Sequence, residues 1–413
     1  MAMRWKKGCQ PEHILDKIES IRRVDPEGKV QFQGFGFKEY EAILFGLIDF
    51  GDNFPEAEAR YILWRALVTV GKTGVLTQKK LKAEINKRVA AYLQTPTLRY
   101  ALLTSLSIQS KKPLERIRIG HDHLIFDNVP SRFHKEAKPL LDKAKYSVFG
   151  VPPDNYLPVR IHVSSRSIHE AADLALDHLD LIRAIWNLFF NMRQSFRWSY
   201  GGKSKPVNKI ITGPIHTLHH TNGKLLSKDI WWYDPSFIEA VPPQDIHSDV
   251  DKLNAFTNLV LSKLSKTDYA LVVKDALRRY VRALDERNLS NAYIHLWSVL
   301  ETLTNTLHDR YDVTIRRAAF IFEERDYHYQ VLQNLREYRN RYVHHGASDS
   351  GVESYLYQLK NIVEALLRFH LNNSFNFTSI KEAAEFLSLP YEENSLKSKN
   401  IMIKNAIKFR RYE

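Results

Sequence analysis

The sequence predicts an α+β chain of several domains, with a mixed α/β amino-terminal region followed by an all-α helical bundle. Three observations lead to this class. The chain has 413 residues, enough for two or three domains at about 150 residues each. Alternating stretches typical of strands are found before residue 249, whereas helical periodicity runs from there to residue 373. Hydrophobic residues make up 44% and charged residues 26%, which excludes a mainly disordered chain.

The charge balance points to an anionic partner. Sixty Lys and Arg residues against 47 Asp and Glu residues leave a net charge of +13, and most of the excess lies in residues 51–150 and 251–300. Such an excess attracts polyanions, nucleic acid first among them. The single cysteine, Cys9, excludes a disulfide framework and a Cys-based zinc site. We find no secretory signal and no apolar run of about 18 residues, so we expect a soluble, cytoplasmic protein with no membrane partner.

Residues 1–150 are predicted to form a mixed α/β domain. Helical periodicity covers residues 56–70 and stops at Gly71, and a second helix covers residues 77–94. Residues 114–126 alternate as a strand.

The two helices leave one alternative function open, a helix-turn-helix that binds DNA. Its second helix would use Lys79, Lys80 and Lys87. Residues 66–73 also match a relaxed phosphate-binding loop, but their spacer residues are bulky and no helix opens at Lys72. We therefore expect no phosphate loop there.

Residues 151–248 are predicted to form a strand-helix-hairpin region. A Pro/Gly cluster at residues 147–154 marks its start. Ser167 and Glu170 form a capping box that should begin a long helix. The predicted elements are a strand over 158–165, a helix from Ser167 to Asn191, and a hairpin of 207–219 and 224–233 around Asn222-Gly223.

Residues 249–380 are predicted to form the helical bundle, and residues 381–413 a basic carboxy-terminal tail. Three apolar stripes, a shorter helix near residues 315–324 and a longer one near residues 329–345 give five helices with short links, which suggests an antiparallel arrangement. No Cys/His/carboxylate spacing typical of a metal site is present anywhere, since His216, His219 and His220 lack a completing ligand. We predict no metal.

The most informative stretch is residues 335–346, which read LREYRNRYVHHG. On a helix of about 100° per residue, Tyr338 and Tyr342 share the core-facing side, and Arg339 falls within the same apolar sector. A guanidinium in that position needs a carboxylate partner or an anionic ligand.

The same stretch carries a set of groups suited to phosphodiester chemistry. Asn340 and His344 are four residues apart on another face, and Gly346 would place His344 in the last turn. His can move protons near neutral pH, and Arg can hold phosphate with two hydrogen bonds. The structural alternative is that Arg339 only bridges to a neighbouring carboxylate such as Glu301.

The motif Arg339-Asn340-x-x-x-His344, in the penultimate helix of a predicted five-helix bundle, resembles the R-N-x-x-x-H signature of the HEPN ribonuclease superfamily. The phrase LREYRNRYVHHG, with WSVLETLTN on an earlier helix, is most similar to the ApeA-like HEPN branch. The resemblance covers about residues 265–373, under a third of the chain.

This resemblance implies a metal-independent endoribonuclease without cofactors, in which two copies of the motif face each other across a homodimer. Arg339 would bind and polarise the scissile phosphate, and His344 would be the general acid or base for attack by the 2′-hydroxyl. Asn340 would orient the histidine or hold a phosphate oxygen, and the products would carry 2′,3′-cyclic phosphate and 5′-hydroxyl ends. The substrate would be single-stranded or loop RNA such as tRNA. The setting would be antiviral defence by abortive infection, or toxin-like growth arrest, after an unknown trigger. By the same resemblance, the part before the bundle, residues 151–248 in particular, would sense the trigger or present the substrate.

Four further residues complete the predicted site. Arg336, Arg341 and His345 are predicted to bind RNA, and Glu301 to support the motif arginine. If that arginine is only paired to Glu301, the alternative is a non-catalytic HEPN interaction or sensor module.

One geometric difficulty accompanies the motif. Residues five apart point about 140° away from each other on an ideal helix. Arg339 and His344 therefore need a distorted last turn, a long reach of the arginine, or a second subunit to meet at one phosphate.

Overall fold

A computed structural model describes residues 3–33, 36–51, 54–126, 129–145, 155–193, 206–227, 232–234, 237, 241–307, 311–345 and 351–411. Over these residues the chain is mixed α and β, as the sequence predicts, with helices predominating. None of the described helices is long and apolar enough to cross a membrane. The predicted boundary segment at residues 147–154 lies outside the described residues.

The amino-terminal part has a hydrophobic core of its own, formed by buried side chains between Met3 and Tyr92. Its elements, numbered along the chain, are β1 Arg4–Trp5, α1 Glu12–Ile21, β2 Arg22–Val24, β3 Val30–Phe32, α2 Phe37–Gly46, β4 Ile48–Asp49, α3 Glu56–Thr73 and α4 Gln78–Gln94. α4 begins where the sequence predicts, with the Thr77 side chain accepting a hydrogen bond from the Lys80 amide.

α3 runs past its predicted end at Gly71. The Gly71 carbonyl accepts a 2.7 Å hydrogen bond from Arg22 Nη1, and the glycine itself is buried against Val30. The helix continues because tertiary contacts at this position stabilise it and outweigh the low helix propensity of glycine.

A six-stranded antiparallel sheet forms the middle of the molecule, in the order β11-β10-β5-β9-β8-β7. The elements of this part are β5 Leu98–Leu106, β6 Ile108–Gln109, β7 Ile117–Ile119, β8 Asp122–Phe126, α5 Ser131–Lys145, β9 Leu157–Ser165, α6 Ile168–Asn191, β10 Ile215–His220, β11 Trp232–Tyr233 and β12 Gln244–Asp245. β5 pairs with β9 over nine residues, so the sheet takes strands from both sides of the predicted boundary at residue 150.

Two predicted strands are shorter or divided in the structure. Residues 114–126 form a hairpin, because Gly120 adopts φ +60° and reverses the chain between β7 and β8. Of residues 207–219, those from Ile215 onward form the strand, and Thr212 adds an isolated bridge to Leu106. The predicted turn at Asn222-Gly223 is confirmed, with Gly223 at φ +91°.

α6 is the predicted long helix, and it begins at the predicted capping residue. Ser167 Oγ accepts a hydrogen bond from the Glu170 amide at 3.2 Å. The Glu170 carboxylate bonds the Arg166 amide at 2.9 Å and the Ser165 hydroxyl at 2.6 Å, so the reciprocal half of the box is displaced by one residue. From residue 178 to 191 every residue of α6 is buried, which makes it the shared core of the sheet and the bundle.

The carboxy-terminal part is helical, as predicted, and has six helices over the described residues of 249–373 rather than five. They are α7 Val250–Lys266, α8 Ala270–Asp285, α9 Leu289–Leu303, α10 Tyr311–Ala319, α11 Arg325–His345 and α12 Val352–Asn372, followed by α13 Ile380–Phe386 and α14 Glu393–Arg410. α9 packs against α8 and α12, and α8 packs against α6. α14 lies in the predicted basic tail and buries none of its residues.

Candidate active site

Tyrosine contacts fix the motif helix α11 to α9 and α12. Tyr338 is 1% exposed, and its hydroxyl lies 3.2 Å from Ser290 Oγ. Its ring packs against Tyr293 and Tyr355, with centroids 4.9 and 4.8 Å away. Tyr293 also donates a 2.6 Å hydrogen bond to the Leu335 carbonyl. The predicted buried side of the helix is thus confirmed at Tyr338, and the backbone that carries the next residues is rigidly held.

Tyr342, one turn further on, is half-buried rather than part of the core. Its hydroxyl donates a 3.1 Å hydrogen bond to Asn291 Oδ1, near the start of α9. The backbone amide of Asn291 bonds Asn288 Oδ1, the cap of α9. The last turns of α11 are therefore tied to the capped amino terminus of α9.

Arg339 is half-buried and lies beside α9. Burial raises the pKa of Glu301 above its ordinary value, while the hydrogen bond from Trp297 and the charge of Arg339 offset part of this rise. The Arg339 charge also acts on Tyr293, two turns earlier on α9. Glu301 accepts the Trp297 Nε1–H at 2.9 Å. The structure therefore places Arg339 near enough to Glu301 for their charges to interact. The sequence analysis predicts this proximity both for a catalytic arginine that Glu301 supports and for a purely structural one.

Asn340 is half-buried next to the arginine, and its Oδ1 accepts a long, 3.5 Å contact from Arg339 Nη1. The amide and the guanidinium thus present donors on neighbouring parts of one helix turn. An oxyanion in this position would receive charge-assisted hydrogen bonds from Arg339 and a neutral one from Asn340 Nδ2.

The predicted RNA-binding arginines differ in their surroundings. Arg336 Nη1 donates a 2.5 Å hydrogen bond to Asp312 on α10, so its charge is already paired in the free chain. Arg341 is exposed on the outer side of α11. The roles of both residues in RNA binding stay predictions.

The predicted histidines lie at the end of the same helix. The backbone of His344 and His345 is α-helical, whereas their side chains, like Gly346, lie outside the described part of the chain. The helix is continuous between Arg339 and His344, which places the two residues about 7.5 Å apart along its axis. A distorted last turn therefore does not bring them together, and a meeting at one phosphate would need a second subunit or a long reach of the arginine.

The phosphate-loop match and the histidines of residues 216–220 have the structural roles that the sequence analysis favoured for them. Residues 66–73, the relaxed phosphate-loop match, lie inside α3 and form no loop. His216 and His219 are buried and bonded to neighbouring groups, His216 Nδ1 to Thr104 Oγ1 and His219 Nδ1 to the Gly223 carbonyl. Within the described ranges, no group of three or more His, Cys, Asp or Glu residues could hold a metal ion.

Sequence reasoning missed Tyr293, which lies beside α11 and on which the charge of Arg339 acts. Tyr293 appears in the sequence only among apolar neighbours, and no spacing rule distinguishes it from the leucines beside it. Its contact with α11 depends on the packing angle of two helices, which a single sequence does not encode locally.

Comparison of the chain with known protein families, with characterised proteins and with solved structures gives no significant match.

Proposed function

We propose that the protein is a metal-independent endoribonuclease whose active site is formed by Arg339, Asn340 and His344. The observation that supports this proposal most is the position of Arg339. It is half-exposed beside Asn340, on a helix that Tyr338 anchors and that continues to His344. An arginine that reaches the surface from a rigidly held helix can bind an external phosphate with charge-assisted hydrogen bonds.

In this proposal, Arg339 and Asn340 bind the non-bridging oxygens of one phosphodiester. His344 accepts the proton of the adjacent 2′-hydroxyl, and the 2′-oxygen attacks phosphorus while the bond to the 5′-oxygen breaks. Protonation of the leaving 5′-oxygen gives a 5′-hydroxyl end and leaves a 2′,3′-cyclic phosphate. Each step uses proton transfer and charge stabilisation that His and Arg supply near neutral pH.

The proposed substrate is single-stranded or loop RNA, and the proposed setting is antiviral defence or growth arrest in the cytoplasm. In a homodimer formed through the bundle, the histidine of one copy would act with the arginine of the other, because residues five apart on one helix lie on different sides of it. The net charge of +13 favours an RNA substrate over a neutral one.

The charge of Arg339 acts on Glu301, and this interaction supports a second candidate function, a non-catalytic interaction module. In that case the arginine would hold α11 against α9 and take no part in chemistry.

The test is incubation of the purified protein with total bacterial RNA in EDTA. We expect the parent chain to produce fragments with cyclic-phosphate ends, and His344→Ala to produce none. His295→Ala is the matched control, because His295 is an exposed bundle histidine outside the site. Equal cleavage by the parent and by His344→Ala would contradict the proposed site. Binding of RNA without cleavage, in extracts of infected and uninfected cells alike, would favour the interaction module.

A further inference from the structure

The outer face of the six-stranded sheet carries a cluster of basic side chains. β9 alternates in burial: Val159, Ile161 and Val163 face α6, so Arg160 and His162 lie on the opposite face. We call this cluster the basic sheet face, and define it as Arg99, Arg116, Arg118, His123, Arg160 and His162.

Strand register aligns the members of this face. His162 pairs with His123 on β8, and His123 pairs with Arg118 on β7. Directly paired residues share a face, and adjacent strands lie about 4.8 Å apart. Arg118, His123 and His162 therefore form one row across three strands, and Arg99 on β5 extends the face on the next strand.

The two histidines at the centre of the row are stacked. Their ring centroids are 4.6 Å apart and their planes differ by 12°. Burial, followed by the positive charges of His123, Arg160 and other arginines, lowers the pKa of His162 to about 4. Burial and nearby arginines lower the pKa of His123 as well. At neutral pH the two rings are uncharged and cover each other's inner faces, so a base can stack on an outer ring face of the pair, near the arginines.

The charges of this face are not compensated within the protein. Among the described residues, no ion pair joins Arg99, Arg116 or Arg118 to a carboxylate. Asp122, the acidic residue next to His123, instead accepts a 3.0 Å hydrogen bond from His178 on α6.

Arg160 is also unpaired within the described ranges. Its guanidinium lies 5.1 Å from the Phe133 ring centroid, and its buried Nε has no hydrogen-bond partner. The field of the arginines is therefore available to an external anion.

α5 extends the positive surface. It covers the neighbouring part of the same sheet face by packing Phe133 and Ala137 on Ala101 and Leu103. Its exposed side carries the basic residues Arg132, Lys135 and Lys138.

We propose that the basic sheet face binds single-stranded RNA, with phosphates held by its arginines and a base stacked on the His123–His162 pair. This proposal rests on the proposed function for the identity of the nucleic acid, and it assigns substrate presentation to the middle of the chain. A flat face with cations and an aromatic platform suits an unpaired strand, whose bases are free to stack. Reading a duplex requires an element that enters a groove.

The experiment measures fluorescence anisotropy of a labelled single-stranded RNA of about 12 nucleotides, titrated with full-length Arg339→Ala protein, which removes cleavage from the assay. In this background Arg99→Glu/Arg118→Glu should weaken RNA binding more than tenfold. It should also reduce the slope of log affinity against log salt concentration by an amount that corresponds to about two phosphate contacts. His123→Ala should weaken binding further, and His123→Phe should restore much of the loss.

The matched control is Lys79→Glu/Lys87→Glu on α4, which makes the same change in net charge on another exposed surface. An equal loss in both double variants would overturn the proposal, because only net charge would then matter. The proposal would also be overturned if an RNA duplex bound as tightly as the single strand. The same holds if polyglutamate of the same charge competed as well as unlabelled single-stranded RNA.

The two proposals fail separately. If the parent chain cleaves RNA while Arg99→Glu/Arg118→Glu binds it normally, only the basic sheet face is wrong. If the face binds RNA but the parent chain never cleaves it, only the proposed active site is wrong.

Discussion

At the residue scale, Glu301 is the group that separates the two proposed roles of Arg339. Its pKa is raised, because burial outweighs the hydrogen bond from Trp297 and the charge of Arg339. A carboxyl whose pKa is higher in the folded state than in the unfolded state costs stability when it is ionised at neutral pH.

We therefore expect Glu301→Gln to leave the free energy of unfolding at pH 7 unchanged or to raise it, since the amide oxygen can still accept the Trp297 hydrogen bond. If Arg339 and Glu301 formed a stabilising buried pair, the same substitution would cost about 3 kcal/mol or more. Urea unfolding of the parent chain and the variant at pH 7 distinguishes the two results. A large loss would support the interaction module.

At the element scale, a buried polar network joins α12 to α6 and α8. Lys360 is fully buried and donates 3.0 Å hydrogen bonds to Glu364 Oε1 and to the Asn191 carbonyl. Tyr280 donates a 2.6 Å hydrogen bond to the same Glu364 oxygen. The network replaces apolar packing at the point where the bundle meets the shared core helix.

We expect Lys360→Met to destabilise the protein by about 3 kcal/mol or more, because the substitution leaves Glu364 buried without its cation. The double variant Lys360→Met/Glu364→Gln should recover much of this loss, since no charge is then left unpaired. Urea unfolding curves of the parent chain and both variants provide the measurement. A single substitution without effect would mean that water or a moved side chain solvates Glu364.

At the scale of the whole molecule, buried histidines make stability depend on pH. Burial lowers the pKa of His370 to about 4, and its ring nitrogens contact the Leu303 carbonyl at 2.8 Å and the Tyr269 hydroxyl at 3.1 Å. In the unfolded chain a histidine titrates near 6.5. Below that pH the unfolded chain binds a proton that the folded chain does not, so the contribution of His370 is complete above pH 6.5 and is lost as the pH falls towards 4.

We expect His370→Gln to be less stable than the parent chain at pH 7.5 but to lose stability less steeply on acidification. The difference in slope should approach about 1.4 kcal/mol per pH unit between pH 6.5 and 4.5. The measurement is the free energy of unfolding of both proteins at four pH values between 4.5 and 6.5. Parallel curves for the two proteins would show that His370 is not the titrating group.

The proposed active site depends on the whole assembly, since it would combine residues from two copies of the chain. Because residues five apart on an ideal helix point about 140° apart, we expect the arginine and the histidine of one site to come from different copies. Equal mixtures of Arg339→Ala and His344→Ala chains should then regain about one quarter of the parent activity, since half of the dimers are mixed and each has one intact site. No regained activity, in a mixture whose subunit exchange is verified by labelled chains, would place both residues of the site in one chain.

Much of the local structure could be predicted from the sequence. The cap at Ser167, the turn at Asn222-Gly223 and the buried side of α11 at Tyr338 all follow from interactions within a few residues. The end of α3 could not be predicted, because Arg22, 49 residues away, holds the Gly71 carbonyl. The predicted strand at residues 114–126 divides because Gly120 turns the chain.

The sequence by itself determined the long helices of the middle and carboxy-terminal parts, the positive charge and the motif that carries Arg339. These depend on periodicity, capping and composition, which are local. Only the tertiary structure decided that residues 178–191 of α6 are buried on all sides and that Arg339 lies half-buried beside Glu301. It alone also aligned Arg118, His123 and His162 in one row. Such arrangements depend on strand register and helix packing between distant segments, whose free energy comes from burial of the whole core rather than from any single stretch of residues.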